Sequence, residues 1–262
     1  MKINKIISLL QEYYPQNLAS SFDMGKIGLQ FGSKQSEIKK IMIALDGTMT
    51  VINEAVEKNV DLLITHHPVL FYPMLSFDYD VVFTKKLLKI FDNRLNVYSM
   101  HTNFDTAKEG MNDLLAQKLE FDNISIQKDE LDSECFLRYG TIEPTTLEEY
   151  SKIVMNKLNE NGSRIVGNKD HIIKKVAIVG GAGASEINMA IKLGCDCLIT
   201  GEVKHNQAID AIEREFSIIE LSHSIESIFK EELKNRLSPL LEGVEIIVSE
   251  NEKDPFWWNI NE

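Results

Sequence analysis

An apolar run ends in two adjacent histidines in the stretch DLLITHHPVLF, residues 61–71. Neighbouring residues on an extended strand point to opposite faces. One packed face can satisfy one imidazole, and hardly both. Either the second ring is solvated, or the chain turns at Pro68 and His66 and His67 converge on something. Further along, MHTNFDTAKEG carries His101 and Asp105, and LSHSIESIF carries His223 with Glu226 three residues on. If a helix begins just after His223, that i, i+3 pair shares a face. His66, His67, Asp105, His223 and Glu226 form a mixed imidazole and carboxylate set. Such a set suits zinc, manganese, iron or cobalt better than calcium or magnesium. One tetrahedral ion does not need so many ligands. Two divalent transition-metal ions about 3.5–4 Å apart, bridged by a carboxylate, would use them all.

These residues must be positioned by the elements around them, and an internal repeat shows which. KKIMIALDGTMTVINEAVEKNVDLLITHH (39–67) aligns without a gap on KKVAIVGGAGASEINMAIKLGCDCLITGE (174–202), with ten of 29 positions identical. Each copy reads strand, glycine-containing turn, helix, strand. After each copy comes another helix pattern and a third strand ending in histidine, NVYSMH (His101) and SIIELSH (His223). Alternating strands and helices predict an α/β fold of two related halves, each with a largely parallel sheet and with the metal site between them. We place the halves at residues 1–127, carrying the HHP and HTNFD motifs, and 128–262, carrying the GEVKH and SHSIE motifs, with packing of the C-terminal tail back on the first half as a further expectation. Ligand sites of α/β sheets lie at the carboxyl ends of strands. Four of the six histidines fall at such ends. Any one of them alone reads most simply as a satisfied core residue; their recurrence at matching ends, with acids nearby, points to metal.

Composition bounds the partners. The 262 residues are 44% hydrophobic and 26% charged, with a net charge of −12. That argues against a protein that coats nucleic acid, which needs a basic face. No apolar run approaches a membrane span. The N-terminal IISLL run is too short for a signal core, and Ile3, Ile6, Ile7 and Leu10 fall at helical spacing. Cys135, Cys195 and Cys197 make no disulfide framework, so a cytoplasmic location is expected.

The motifs DLLITHHPVLF, HTNFDTAKEGMNDLLA, LITGEVKH and SHSIE together resemble the dinuclear-metal-centre proteins known as GTP cyclohydrolase I type 2 homologues, the NIF-three-like family. FDMGKIGLQFGS resembles that family's Trp-Asp-Asn-x-Gly-Leu-Gln element. The similarity runs from about residue 20 to the C-terminus. It implies His66, His67, Asp105, His223 and Glu226 as the metal ligands, two α/β domains and a toroidal homohexamer. Phe22 and Met24 stand where Trp and Asn are usual, Leu221-Ser222 replaces a small pair before His223, and Asn206 replaces a second His after His205.

The expected activity is metal-dependent hydrolysis of a small molecule. The resemblance implies a nucleotide or purine-type substrate. His101 or Glu202 would move the proton, with His101 either a ligand or a residue that orients Asp105. The alternative is a non-catalytic metal-binding protein, a metallochaperone or a scaffold built on the ring. A metallophosphatase-like enzyme would need an acidic, Asn-rich motif set that is absent. VGGAGAS (179–185) lacks the third glycine of a dinucleotide fingerprint, so no organic cofactor is expected, although the turn could meet a phosphate. Cys195 and Cys197 read as small buried hydrophobes, His171 as a surface residue, and the DPFWWNINE tail as packing on the core or across a subunit contact.

Overall fold

The computed structural model describes residues 1–126 and 136–259. The chain forms two compact units. One is Met1–Ala107 with Ser227–Lys253; the other is Lys108–Glu226 with the tail from Asp254. The first unit opens with α1 (Ile3–Tyr13), β1 (Gly28–Phe31), β2 (Lys40–Ala44), α2 (Met49–Glu57), β3 (Leu62–Thr65), α3 (Val82–Asp92), β4 (Asn96–Ser99) and a short α4 (Thr102–Thr106). The second unit holds α5 (Met111–Lys118), β5 (Asp122–Ile126), β6 (Arg138–Thr146), α6 (Leu147–Leu158), β7 (Arg164–Val166), β8 (Ile172–Val179), α7 (Ile187–Lys192), β9 (Cys197–Thr200), α8 (His205–Glu213) and β10 (Ser217–Glu220). The chain then returns to the first unit with α9 (Ile228–Leu237) and β11 (Glu245–Val248).

The sheets run β1-β4-β3-β2-β11 and β5-β6-β8-β9-β10-β7. In each, three parallel strands form the centre and an antiparallel strand closes one edge. β3, β4, β9 and β10 are buried at every position, which is the mark of strands covered on both faces. α1 buries Ile3, Ile6 and Leu10, as its spacing predicts. The Thr48 hydroxyl caps α2 by accepting from Val51 N–H, and Val51, Ile52 and Ala55 face the core. No helix among the described residues is long and apolar enough to cross a membrane.

The unit composition differs from the expected halves of 1–127 and 128–262. The 127/128 boundary itself lies outside the described residues, as does Cys135. Residues 108–126 group with the second unit, where β5 pairs with β6 and α5 packs on β6 and β8. Residues 227–253 group with the first, because β11 adds to β2 in parallel from Glu245↔Lys40 to Val248↔Ile43. The apolar EIIV pattern of β11 carries no signal of which sheet it will join.

The repeat is a structural duplication. β9 matches β3, β8 ends where β2 ends, and α7 ends where α2 ends, all at the offset of 135. The correspondence reaches further back than the aligned motif. β7 falls at the same offset from β1, and each is followed by a positive-φ glycine, Gly32 at φ 118° and Gly167 at φ 110°. A Cβ on Gly32 would meet Asn96 and one on Gly167 would meet Ser217, the first residues of β4 and β10. The shared aspartates do identical work. Asp61 Oδ2 accepts Lys39 N–H at 2.7 Å and Lys40 N–H at 3.0 Å; Asp196 Oδ2 accepts Lys174 N–H at 2.9 Å and Lys175 N–H at 2.8 Å. Each carboxylate ties the residue just before one central strand to the backbone of the neighbouring strand.

A second carboxylate fastens the returning segment. Glu54 on α2 is 1% exposed. It accepts from Ser249 Oγ (2.6 Å), Glu250 N–H (3.0 Å), Asn251 N–H (3.1 Å) and Lys58 Nζ (2.8 Å). Burial disfavours its charge, but these donors outweigh burial and hold its pKa down at about 2.

Two outcomes follow. Because the folded pKa lies below the ordinary 4.5, the Glu54 contribution is complete above about pH 4.5 and is lost as pH falls towards 2. Glu54→Gln should cost about 1–3 kcal/mol at neutral pH and flatten the acid limb of a urea-denaturation series; an unchanged acid limb would refute the linkage. Asp61→Ala and Asp196→Ala should each cost about 1–2 kcal/mol, since each strips two backbone N–H groups of their acceptor. If only one variant loses stability in the same assay, the two tethers are not equivalent.

Candidate metal-ligating residues

In the first unit β2, β3 and β4 stop at one level, with Ala44 opposite Thr65 and Thr65 opposite Ser99. The next residues leave the sheet along that edge while their backbones stay tied to it. His66 N–H donates to Ala44 O (3.3 Å), His67 N–H to Leu45 O (2.9 Å) and Met100 N–H to Thr65 O (2.9 Å). The chain does turn after Thr65, and both histidines converge. His66 is fully buried. Its ring centroid lies 4.9 Å from that of His67, 5.3 Å from His101 and 5.4 Å from Phe229. One ring nitrogen from each of His66, His67 and His101 lies within 4.8 Å of the others. Asp105, on α4, brings Oδ1 to 3.5 Å from His66 Nε2.

Carboxylates orient two of these rings from behind. His67 Nδ1 donates to Asp46 Oδ1 at 2.9 Å, and His101 Nδ1 donates to Asp23 Oδ1 at 2.9 Å. A proton held on Nδ1 leaves the Nε2 lone pair for a ligand, the usual arrangement behind a metal-bound histidine. Asp23 is fully buried and also accepts from Thr102 N–H (3.1 Å) and the Thr102 hydroxyl. Burial alone would raise its pKa, but the bonds from His101 and Thr102 outweigh that and hold it below the usual carboxylate range. Asp46 is steadied through its backbone. Glu252 accepts Leu45 N–H (3.0 Å) and Asp46 N–H (2.6 Å), and Lys230 pairs with Glu252 at 2.9 Å.

The second unit repeats the edge with different chemistry. β8, β9 and β10 stop in register, Val179 opposite Thr200 and Thr200 opposite Glu220. His223 opens a 3-10 helix, His223–Ser227, whose first turn sets His223 Nε2 3.1 Å from Glu226 Oε2. Glu202 accepts from His223 Nδ1 at 2.6 Å. The VGGAGAS turn runs beneath this pair. A Cβ on Gly181, at φ +57°, would come within 2.6 Å of Glu226 Oε1 and 3.1 Å of His223 Nε2. Two of the turn's N–H groups are in use, Gly180 on Asn112 Oδ1 (2.8 Å) and Gly183 on Thr200 Oγ1 (2.9 Å). Gly180 and Gly181 permit a close approach of the turn to Glu226.

Several other expectations can be placed. His101 is held by Asp23, and its ring joins the His66–His67 group. His205 stands exposed at the start of α8. His171 is half-buried and its Nδ1 lies 3.1 Å from Ser217 Oγ, so it is not a bare surface residue. Cys195 and Cys197 are buried, and burial pushes the Cys195 thiol up to about 11 and Cys197 further up. Both behave as small hydrophobes. Asp23 and Asp46 were not singled out by motif reading. Asp23 lies 78 residues from His101, within FDMGKIGLQFGS, and Asp46 follows β2 in the turn LDGT. Only their place at the same strand edge marks them.

Imidazole and carboxylate groups so arranged fit a borderline divalent metal better than a hard one. The chain is 35% identical over 266 residues to the GTP cyclohydrolase 1 type 2 homolog of Clostridium perfringens, covering 98% of this chain and 99% of that one. It is 32% identical to the protein of the same name from Clostridium acetobutylicum, covering 98% of each. A Staphylococcus aureus hypothetical protein of known structure matches with a TM-score of 0.89 at 28% identity, over 98% of this chain and 99% of its own. Reduced HcgD from Methanocaldococcus jannaschii matches with a TM-score of 0.83 at 31% identity, over 95% and 98%. The pattern of the Duf34/NIF3 (NGG1p interacting factor 3) family covers residues 1–255, and the chain belongs to that family.

Proposed function

We propose that this protein binds divalent transition-metal ions through His66, His67, Asp105, His223 and Glu226, and hydrolyses a small nucleotide- or purine-type substrate. The observation that carries the reading is the pair of carboxylates behind two of the proposed ligands: Asp46 on His67 and Glu202 on His223. Core histidines need one hydrogen-bond partner; histidines aimed with Nε2 outward and a carboxylate on Nδ1 are built to donate a lone pair. When bound, such ions supply Lewis acidity. The protein's own groups do the rest. Asp23 keeps a proton on His101 Nδ1, so Nε2 is the atom that takes up a proton during reaction. Glu202 holds the His223 tautomer. The names of the Clostridium relatives support a guanine nucleotide as the substrate type.

A non-catalytic metal-binding role would use the same side chains. Hydrolysis is favoured because the rings remain within reach of water: the side chains of His67, His101 and His223 are 23%, 17% and 32% exposed. A purely structural site would close over them. We also propose a homohexamer. The segment after the histidine pair exposes Tyr72, Leu75, Phe77, Tyr79 and Val82, with Leu75 99% exposed. Large apolar side chains exposed along one segment, with Ser76, Asp78 and Asp80 between them, are costly to leave in water and suit a contact between copies.

Protein reconstituted with zinc, manganese or iron should carry about two ions per chain. His67→Ala and Glu226→Ala should lower that stoichiometry with the circular-dichroism spectrum unchanged. Asp46→Ala keeps every proposed ligand and should weaken metal affinity about 10–100-fold. Metal content near zero with all three ions would sink the reading.

Sedimentation velocity on metal-loaded protein tests the assembly. The wild type should run as a hexamer, and Leu75→Asp with Phe77→Asp should release smaller species. A monomeric wild type at micromolar concentration rules the ring out.

A further inference from the structure

A pocket of about 480 Å³ opens beside His223 in the second unit, a size that suits a small ligand. Its walls include Arg164, Lys204, His223, Phe256, Trp257 and Trp258. The aromatic wall is fastened in place. Asp254 accepts from the Ser222 and Ser224 hydroxyls, each at 2.7 Å, and from Phe256 N–H at 2.8 Å. The Trp258 ring packs against Gly162, where a Cβ would come within 2.7 Å of it. Yet Trp257 is 80% exposed and Phe256 72% exposed. Large rings held open at the mouth of a cavity offer a stacking surface.

The charges lining the pocket select the rest of the ligand. Glu220 pairs with Arg164 and accepts Val203 N–H at 3.1 Å, and Glu202 is taken by His223. An incoming ammonium would have to break one of these pairs. An acidic group instead meets exposed Lys204 and the open side of the Arg164 fork. We propose that this pocket binds a planar heteroaromatic ring carrying a phosphate, the ring stacked on Trp257 and the phosphate facing Lys204 and Arg164. Stacking tolerates any base, and nothing on the walls specifies one. That this ligand is the substrate rests on the hydrolase reading; its binding does not, because every lining residue belongs to the second unit.

Trp257 and Trp258 are the chain's two tryptophans, so tryptophan emission reports this pocket. AMP and GMP should change the emission saturably. Adenosine should bind at least about fivefold more weakly, for want of one charged contact, and ribose 5-phosphate should leave the emission unchanged. By calorimetry, Trp257→Ala should weaken AMP binding roughly fivefold to a hundredfold, while Trp257→Phe retains most of it. Lys204→Ala should weaken AMP binding while leaving adenosine binding unchanged, with Arg164 retaining part of the preference for AMP. The inference is overturned if no nucleotide gives a saturable change at millimolar concentration, if ribose 5-phosphate binds as tightly as AMP, or if Trp257→Ala binds AMP as the wild type does. The titrations are repeated after chelation of metal. Nucleotide binding by a chain that takes up no metal keeps this pocket and removes the metal reading; full metal loading without nucleotide binding does the reverse.

Discussion

The candidate site depends on parallel strands that end at one level. While a chain remains in a strand, adjacent side chains are forced to opposite faces, and no pair such as His66 and His67 can meet. Register converts three separate chain exits into one edge. Ala44, Thr65 and Ser99 lie side by side, so Asp46, His67 and His101, each two residues further on, emerge together. The backbone bonds from His66 and His67 to Ala44 and Leu45 then hold the imidazoles as firmly as the sheet itself. The energetic cost of ordering these side chains is met by the buried strands behind them, where Val, Ile and Leu supply the hydrophobic gain.

The duplication shows which parts of this device are scaffold. The tethers survive in both copies: Asp61 and Asp196 on the strand starts, Gly32 and Gly167 after the edge strand. The strand ends have diverged. At the offset of 135, Asp46, His66 and His67 become Gly181, Gly201 and Glu202. In the second copy the backbone itself occupies the space. A Cβ on Gly201 would lie 2.8 Å from Gly181 O and 2.9 Å from His223 Cα. A side chain at 201 is thus excluded by the same packing that lets Glu226 sit against the turn. One copy carries an imidazole cluster, and the other carries one histidine between two carboxylates.

Much of this was legible in the residues. Period and repetition announced the strands, the helices and the histidines at strand ends, because burial on both faces leaves unbroken apolar runs such as LLIT and CLIT. The i, i+3 spacing of His223 and Glu226 forecast their contact, although the turn is 3-10 where a helix was expected. What stayed hidden were pairings across long stretches of chain. Nothing near His101 names Asp23, and nothing in Glu54 announces three partners around residue 250. A buried carboxylate reads in sequence like any surface acid; only the fold shows which N–H groups surround it. The affiliation of residues 227–253 was hidden for the same reason, since a short parallel strand can be supplied from any distance along the chain.

That last strand has a consequence for how the polypeptide is made. Glu245 pairs with Lys40, so the first sheet has one edge waiting while the ribosome translates the whole of the second unit's main body. Until residue 248 emerges, β2 presents unpaired N–H and C=O groups, the kind of edge that recruits strands from other chains. The second sheet closes earlier, from a nearly continuous segment. A nascent chain therefore carries its histidine-rich half in an unfinished state for longest; pairing of β11 ends that exposure, and the Glu54 contacts with residues 249–251 fasten the strand once it has paired.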